Sequence, residues 1–200
     1  MKKNTKELIL EVSLKLFSMN GYKSTTVRNI AKEVGITQSG LYNHFKNKDD
    51  ILNTLIENLM SSAIVKLFEN RDIEDIAQSG KSFLFSIATT FKLLSFDKKN
   101  EALSKLLMQE LYKNSKIRNT YTQSFYQTNV KKLSFVFSIM IEKNKIKNID
   151  SLMLANEFFA PLFFYQMQVH LLKIDGKPTS SLITMFEKHV DYFWNNIKIS

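Results

Sequence analysis

Two short amphipathic segments separated by a two-residue turn constrain this chain more than any other feature. Thr25 or Thr26 can cap a short helix whose Val27, Ile30, Ala31 and Val34 share one face, and Gly35 ends it. Thr37 can cap the next helix, in which Leu41 and Phe45, four residues apart, turn inward. Only Gly35 and Ile36 lie between the two. A preceding stripe of Leu8, Val12, Leu16 and Met19 falls at helical spacing, with Gly21 just past its end. Packed across both short segments, that first helix completes a three-helix, homeodomain-like helix-turn-helix.

With Leu41 and Phe45 inward, Gln38, Ser39, Tyr42, Asn43 and His44 are left toward solvent or a partner. A protein helix fits the B-DNA major groove, and its outward side chains then reach base edges. Charge agrees with that use. Of a formal net charge of +9, residues 1–48 carry nine cations against Glu7, Glu11 and Glu33, making this quarter the candidate polyanion-binding surface. The reading face has no Arg or Lys between Gln38 and Phe45. Guanine is read most often by those residues, whereas Gln and Asn suit adenine, so an A·T-rich site with inverted half-sites is expected. Gly40 inside the third helix costs about 1 kcal/mol relative to Ala, which predicts a packing or groove-approach reason for it.

Asn47 and Asp50 form a capping pair for a fourth helix, with Asp49 and Asp50 in its positive first turn. Its apolar face, Ile51, Leu52, Leu55, Ile56 and Leu59, continues to about Phe68. Further helices are expected near 75–95, 101–112, 116–143, 151–173 and 180–197. Five Gly and two Pro leave little turn chemistry for a many-stranded sheet. Pro161 falls inside a helical stretch, where it removes a backbone hydrogen bond; a bend shaping a pocket wall and a simple packing accommodation are both open. The absence of Cys excludes disulfides and thiolate metal sites. Glu7 and Glu11 interrupt any export-signal core, and the longest apolar run, Phe158 to Tyr165, is far below the ~20 residues of a bilayer span. A cytoplasmic protein without membrane association is expected. His44, His170 and His189 make no paired metal spacing, and no phosphate loop or nucleophile elbow occurs, so neither cofactor nor enzyme activity is expected.

The stretch from Phe17 to Leu52 resembles the signature of the TetR/AcrR family of bacterial helix-turn-helix regulators. Gly21, Thr26, Ile30, Ala31, Gly35, Leu41, Tyr42, Phe45, Lys48 and Leu52 all fall at the family's spacing, and the likeness covers roughly residues 5 to 55. The resemblance implies an all-α chain of about nine helices: a DNA-binding domain over 1–47 and a helical ligand-binding and dimerisation domain over 48–200. It implies Thr26, Tyr42 and Lys48 as phosphate contacts, with Lys46 beside them. Gln38, Ser39, Asn43 and His44 become base readers, and Arg28 is placed for a base or a phosphate. Fourteen of the sixteen Phe lie after residue 48, a surplus that can line an apolar cavity. The family holds its effector between the helices after the fourth, and the candidates here are Phe91, Met108, Tyr112, Phe125, Tyr126, Asn129 and Gln168. The last two helices, rich in Phe158, Phe159, Phe163, Phe164, Leu171, Leu172, Phe186, Phe193 and Trp194, would pair with their symmetry mates in a homodimer. The implied mechanism is a repressor that leaves its double-stranded operator when a small apolar effector binds. An architectural DNA binder without an inducer is the competing expectation.

Overall fold

The computed structural model describes residues 4–60, 63–69 and 71–199. Among them the chain is helical, with a lone antiparallel bridge between Ile146 and Lys198 as its strand-like pairing. In chain order the helices are α1 (Thr5–Asn20), α2 (Val27–Val34), α3 (Gln38–Tyr42), α4 (Lys48–Met60), α5 (Ala63–Phe68), α6 (Ile73–Ser79), α7 (Lys81–Phe96), α8 (Lys98–Leu111), α9 (Ser115–Thr120), α10 (Thr128–Glu142), α11 (Ser151–Ile174) and α12 (Met185–Ile197). A π-helical stretch, Tyr121–Gln127, leads into α10, and a 3₁₀ turn, Ser180–Leu182, precedes α12. No helix among the described residues is long and apolar enough to cross a membrane.

The contacts divide the chain into two compact units, Met1–Met60 with Lys98–Thr120, and Ser61–Asp97 with Tyr121–Ser200. The boundary expected at residue 47 falls inside the first of these. In that unit α1 packs on α2, α4 and α8, and α4 also packs on α8 and α9. Its core joins Ile9, Leu14 and Phe17 to Ile30, Leu41, Phe45, Ile51, Leu52 and Leu106. The face of α1 that is buried therefore runs through Ile9, Ser13 and Phe17. Leu8, Val12 and Leu16 flank it half-buried, and Met19 is 71% exposed. A helix with apolar residues at both i and i+1 has two candidate stripes, and only its neighbours choose between them.

The second unit packs α10 and α7 against α11, and α12 against α7 and α11. Its core is strongly aromatic: Phe83, Phe91, Phe137, Phe158, Phe159 and Phe186 are all buried. The α11 helix runs through Pro161. One of the long helices expected from periodicity is broken, and another changes helix type. The segment 75–95 becomes α6 and α7, and the break is Gly80, at φ 55 and ψ −121. That backbone conformation is open to glycine alone at low cost. A Cβ there would also lie 3.1 Å from Cη2 of Trp194, whose ring closes over the corner. Gly80→Ala is expected to cost about 2 kcal/mol. That lowers the melting temperature by about 4 to 8 °C, which thermal denaturation followed by circular dichroism measures. The segment 116–143 stays helical, with the π-helical stretch set between α9 and α10. The fourth helix, expected to reach about Phe68, is helical over Lys48–Met60 and again over Ala63–Phe68, with residues 61 and 62 outside the described ones.

Candidate nucleic-acid interface

The start of each of the two short helices is fixed by a side chain. Thr26 is the N-cap of α2: its Oγ1 accepts from the Asn29 N–H at 3.1 Å, while Asn29 Oδ1 accepts from the Thr26 N–H at 2.9 Å. These reciprocal bonds satisfy two donors that a helix start leaves unpaired. Thr25, the other candidate, is buried instead. Its hydroxyl donates to the Gly21 carbonyl at 3.0 Å and lies 3.3 Å from the Leu16 carbonyl, tying the loop to the end of α1. Gly35 closes α2 in the left-handed region.

Thr37 caps α3, its Oγ1 accepting from the Gly40 N–H at 3.0 Å. A Cβ on Gly40 would sit 3.2 Å from that same Oγ1, so the glycine keeps room for the cap. This is the packing reason that the sequence predicted for it. The Ser39 hydroxyl lies 3.0 Å from Thr37 Oγ1 and shares in the capping cluster. Regular α-helix stops at Tyr42, and a tighter turn carries the chain on, with the His44 N–H donating to the Leu41 carbonyl at 2.9 Å. Leu41 and Phe45 are buried; Gln38, Ser39, Tyr42, Asn43 and His44 are exposed, Tyr42 by half. The structure thus brings all five expected contact residues onto one open face. Arg28 and Lys46 are exposed as well.

Lys48 has a different setting from the solvated cation that its phosphate role suggests. Its Nζ donates to the carbonyls of Tyr22 and Thr25, both at 2.8 Å, and stands 4.2 Å from the centre of the Tyr22 ring. Two of its three N–H donors are therefore spent clasping the α1–α2 loop to the start of α4. Tyr22 completes the clasp. Its hydroxyl donates to Asp49, its ring meets Phe17 edge-on at 5.2 Å, and its phenol is pushed well above the ordinary tyrosine value. Burial is the main cause, followed by the bond to Asp49 and the carboxylates of Asp49 and Glu110. Asn47 Oδ1 accepts from the Asp50 N–H at 2.8 Å, and Asp50 Oδ2 reaches back to the Lys46 N–H at 2.9 Å. Tyr22 escaped the sequence reading, because a loop aromatic carries no periodic signal; its distance from Asp49 along the chain hid the pairing.

A cleft of about 500 Å³ beside the start of α4 is lined by Lys46, Asp49, Asp50, Asn53, Asn114 and Lys116 among others. Its two lysines face two aspartates, so it has no net charge with which to attract a phosphate. Among the described residues no group of three His, Asp or Glu could hold a metal ion.

The expected effector residues are distributed between the units. Phe91 is buried in the second unit, its ring 4.9 Å from that of Phe163 and 6.0 Å from that of Phe159. Asn129 is buried and Gln168 half-buried in the same unit. Met108 and Tyr112 belong to the first unit and are 45% and 89% exposed, a solvent position unlike an apolar pocket wall. Phe125 and Tyr126 lie outside the described side chains. Of the apolar residues expected between subunits, Phe158, Phe159, Phe186 and Phe193 are buried within the protomer, while Phe164 and Leu171 are exposed.

Residues 9–55 match the family model of bacterial regulatory proteins, tetR family. Over 89 residues, 44% of this chain, the sequence is 33% identical to the fatty acid metabolism regulator protein of Bacillus subtilis (strain 168), of which it covers 45%. The chain therefore spans under half the length of that relative. Over 195 residues it is 25% identical to Probable HTH-type transcriptional regulator YttP of the same bacterium, covering 97% of this chain and 88% of that one. The structure of the fatty acid degradation regulator FadR from Bacillus halodurans shares the fold with a TM-score of 0.69 at 18% identity, covering 97% of this chain and 96% of that one. Residues 9–55, which hold the capped two-helix motif with its buried Leu41 and Phe45, are thus a DNA-binding segment of the tetR family of bacterial regulatory proteins.

Proposed function

We propose that this chain is a homodimeric transcriptional repressor that reads an inverted-repeat operator through α3 and releases it when a small apolar effector binds the second unit. One observation carries the DNA-binding half: Gln38, Ser39, Tyr42, Asn43 and His44 are exposed together, on a helix capped at Thr37 and the turn that follows it, seated by two buried side chains. Tyr42 and Lys46 serve as phosphate contacts, Gln38 and Asn43 as adenine readers. Lys48 contributes by holding the loop and has one N–H donor left for a phosphate. On α11 and α12, Met153, Phe164, Met167, Leu171 and Tyr192 are exposed, an apolar excess of the kind that a second copy covers. Twofold pairing would set the two α3 helices about 34–36 Å apart, or a multiple of that. The effector reading draws on the relative named a fatty acid metabolism regulator, and on the aromatic interior of the second unit.

The test is selection of binding sites from genomic fragments, followed by fluorescence anisotropy on the selected sequence. An A·T-rich inverted repeat is expected, with Gln38→Ala changing the base preferred at its position and costing about 1–3 kcal/mol on the native site. Binding without any sequence preference would overturn the reading. An architectural binder would share the α3 face, yet show no ligand-dependent release from the selected site.

A further inference from the structure

In the second unit the carboxamide of Asn129 is buried and unmet at both of its ends. The residue lies in the first turn of α10, is 2% exposed, and neither its carboxamide oxygen nor its nitrogen has a hydrogen-bond partner in the protein. A carboxamide offers two donors and an acceptor. Native interiors satisfy nearly all such groups, so one with both ends unmet calls for a ligand or strain to explain it. A second observation adjoins it. The seven residues immediately before α10 are π-helical, and π-helical turns are rare and concentrate at functional sites.

The buried polar residues described in this unit bound what could meet the amide. Besides Asn129, the buried polar residues described in this unit are Thr90, Ser95 and His189. The hydroxyls of Thr90 and Ser95 donate to carbonyls one turn back in α7, at 2.8 and 2.7 Å. His189 Nε2–H donates to the Phe158 carbonyl at 2.9 Å. None of these supplies an ionised partner, and an uncompensated charge is far more costly to bury than a neutral polar group.

We propose that Asn129 is the polar anchor of the effector site, and that the effector carries a neutral head group able both to donate and to accept a hydrogen bond, on an apolar body. Primary amides and protonated acids have that pairing; carboxylates and quaternary ammonium ions do not. The proposal rests on the reading of the second unit as a ligand sensor and specifies what that unit admits.

Isothermal titration of the full-length protein with octanamide, 4-phenylbutanamide, octanoate and octyltrimethylammonium tests it. At least one amide is expected to bind at least tenfold more tightly than either ion, and Asn129→Leu is expected to weaken that amide by about tenfold or more. The same variant removes an unsatisfied amide from the free protein, so its melting temperature should rise, by about 2 to 4 °C. Failure to rise would show the amide already satisfied by the fold and overturn the proposal. Binding of neither amide, equal binding of an ion, or undiminished amide affinity in the variant would overturn it too. Asn129→Ala carries the affinity comparison should leucine's branching prevent folding. The readout is separate from operator binding. Wild-type protein that ignores every probe yet selects an operator refutes the anchor alone, whereas amide binding without DNA recognition refutes the repressor.

Discussion

Lys48→Met is expected to lower the melting temperature by about 4 to 8 °C and to weaken binding to every DNA sequence alike, leaving the order of preference unchanged. Methionine keeps most of the aliphatic stem and deletes the ammonium, so packing is largely conserved. Lost are two 2.8 Å bonds to the carbonyls of Tyr22 and Thr25, and the contact 4.2 Å above the Tyr22 ring. A hydrogen bond to a charged group contributes about 1.5–3 kcal/mol, and a cation over an aromatic face about 0.5–1 kcal/mol at an accessible site. Lys48 is half-buried, which pulls the combined loss toward about 2 kcal/mol. The loop it holds carries Thr26, the cap of α2, and α2 in turn seats α3. Loosening it would disturb the angle of the proposed reading face without removing any of the side chains proposed to read bases.

Lys46→Met separates this clasp from simple charge loss. Lys46 is exposed, so its removal should leave the melting temperature alone and reduce the slope of log affinity against log salt by about 1. The salt slope of Lys48→Met should change by about the same amount only if its remaining N–H donor meets a phosphate. An unchanged melting temperature in Lys48→Met would show that the two carbonyl bonds contribute nothing.

What could be read in advance, and what could not, follows the range of the physics involved. Thr37 was legible as a cap, and Thr26 as one of two candidates, because capping acts over three residues, and Leu41 with Phe45 because a four-residue spacing fixes a shared face. The Asn47–Asp50 pair was legible for the same reason. Lys48 resembles any exposed lysine until the fold brings the Tyr22 and Thr25 carbonyls to it from more than twenty residues away. Gly80 is a comparable case. A glycine within a periodic stretch is tolerated in a helix at modest cost; this one is a break by its positive-φ backbone, and the Trp194 ring beside it comes from the far end of the chain. The choice between the Leu8 and Ile9 stripes of α1 is likewise made by α2, α4 and α8. Asn129 was legible as a polar residue on an apolar helix; that its amide has no partner is a property of three-dimensional surroundings alone.

Phe158→Ala should be among the most destabilising single changes in the chain, costing about 3–5 kcal/mol in denaturant titration. The side chain is fully buried where α11 meets α12, its ring 5.2 Å from that of Phe193, 5.4 Å from that of His189 and 5.9 Å from that of Phe159. Truncation opens a cavity among aromatic rings whose own neighbours restrain collapse. Phe158→Leu, which retains most of the volume, should cost clearly less, and equal losses for the two would refute the cavity argument. The cavity should also alter the acid side of the stability profile. Burial holds the His189 imidazole below the ordinary value of 6.5, opposed by its bond to the Phe158 carbonyl and by Glu157. Because the folded protein resists protonating this ring, the stability it confers is complete above pH 6.5 and declines as the pH falls from there toward the depressed value. Water entering the space left by the Phe158 ring should relieve that depression. The slope of stability against pH just below 6.5 should then be shallower in Phe158→Ala than in the wild type; a slope as steep as the wild type's would mean that the phenyl ring does not shield His189.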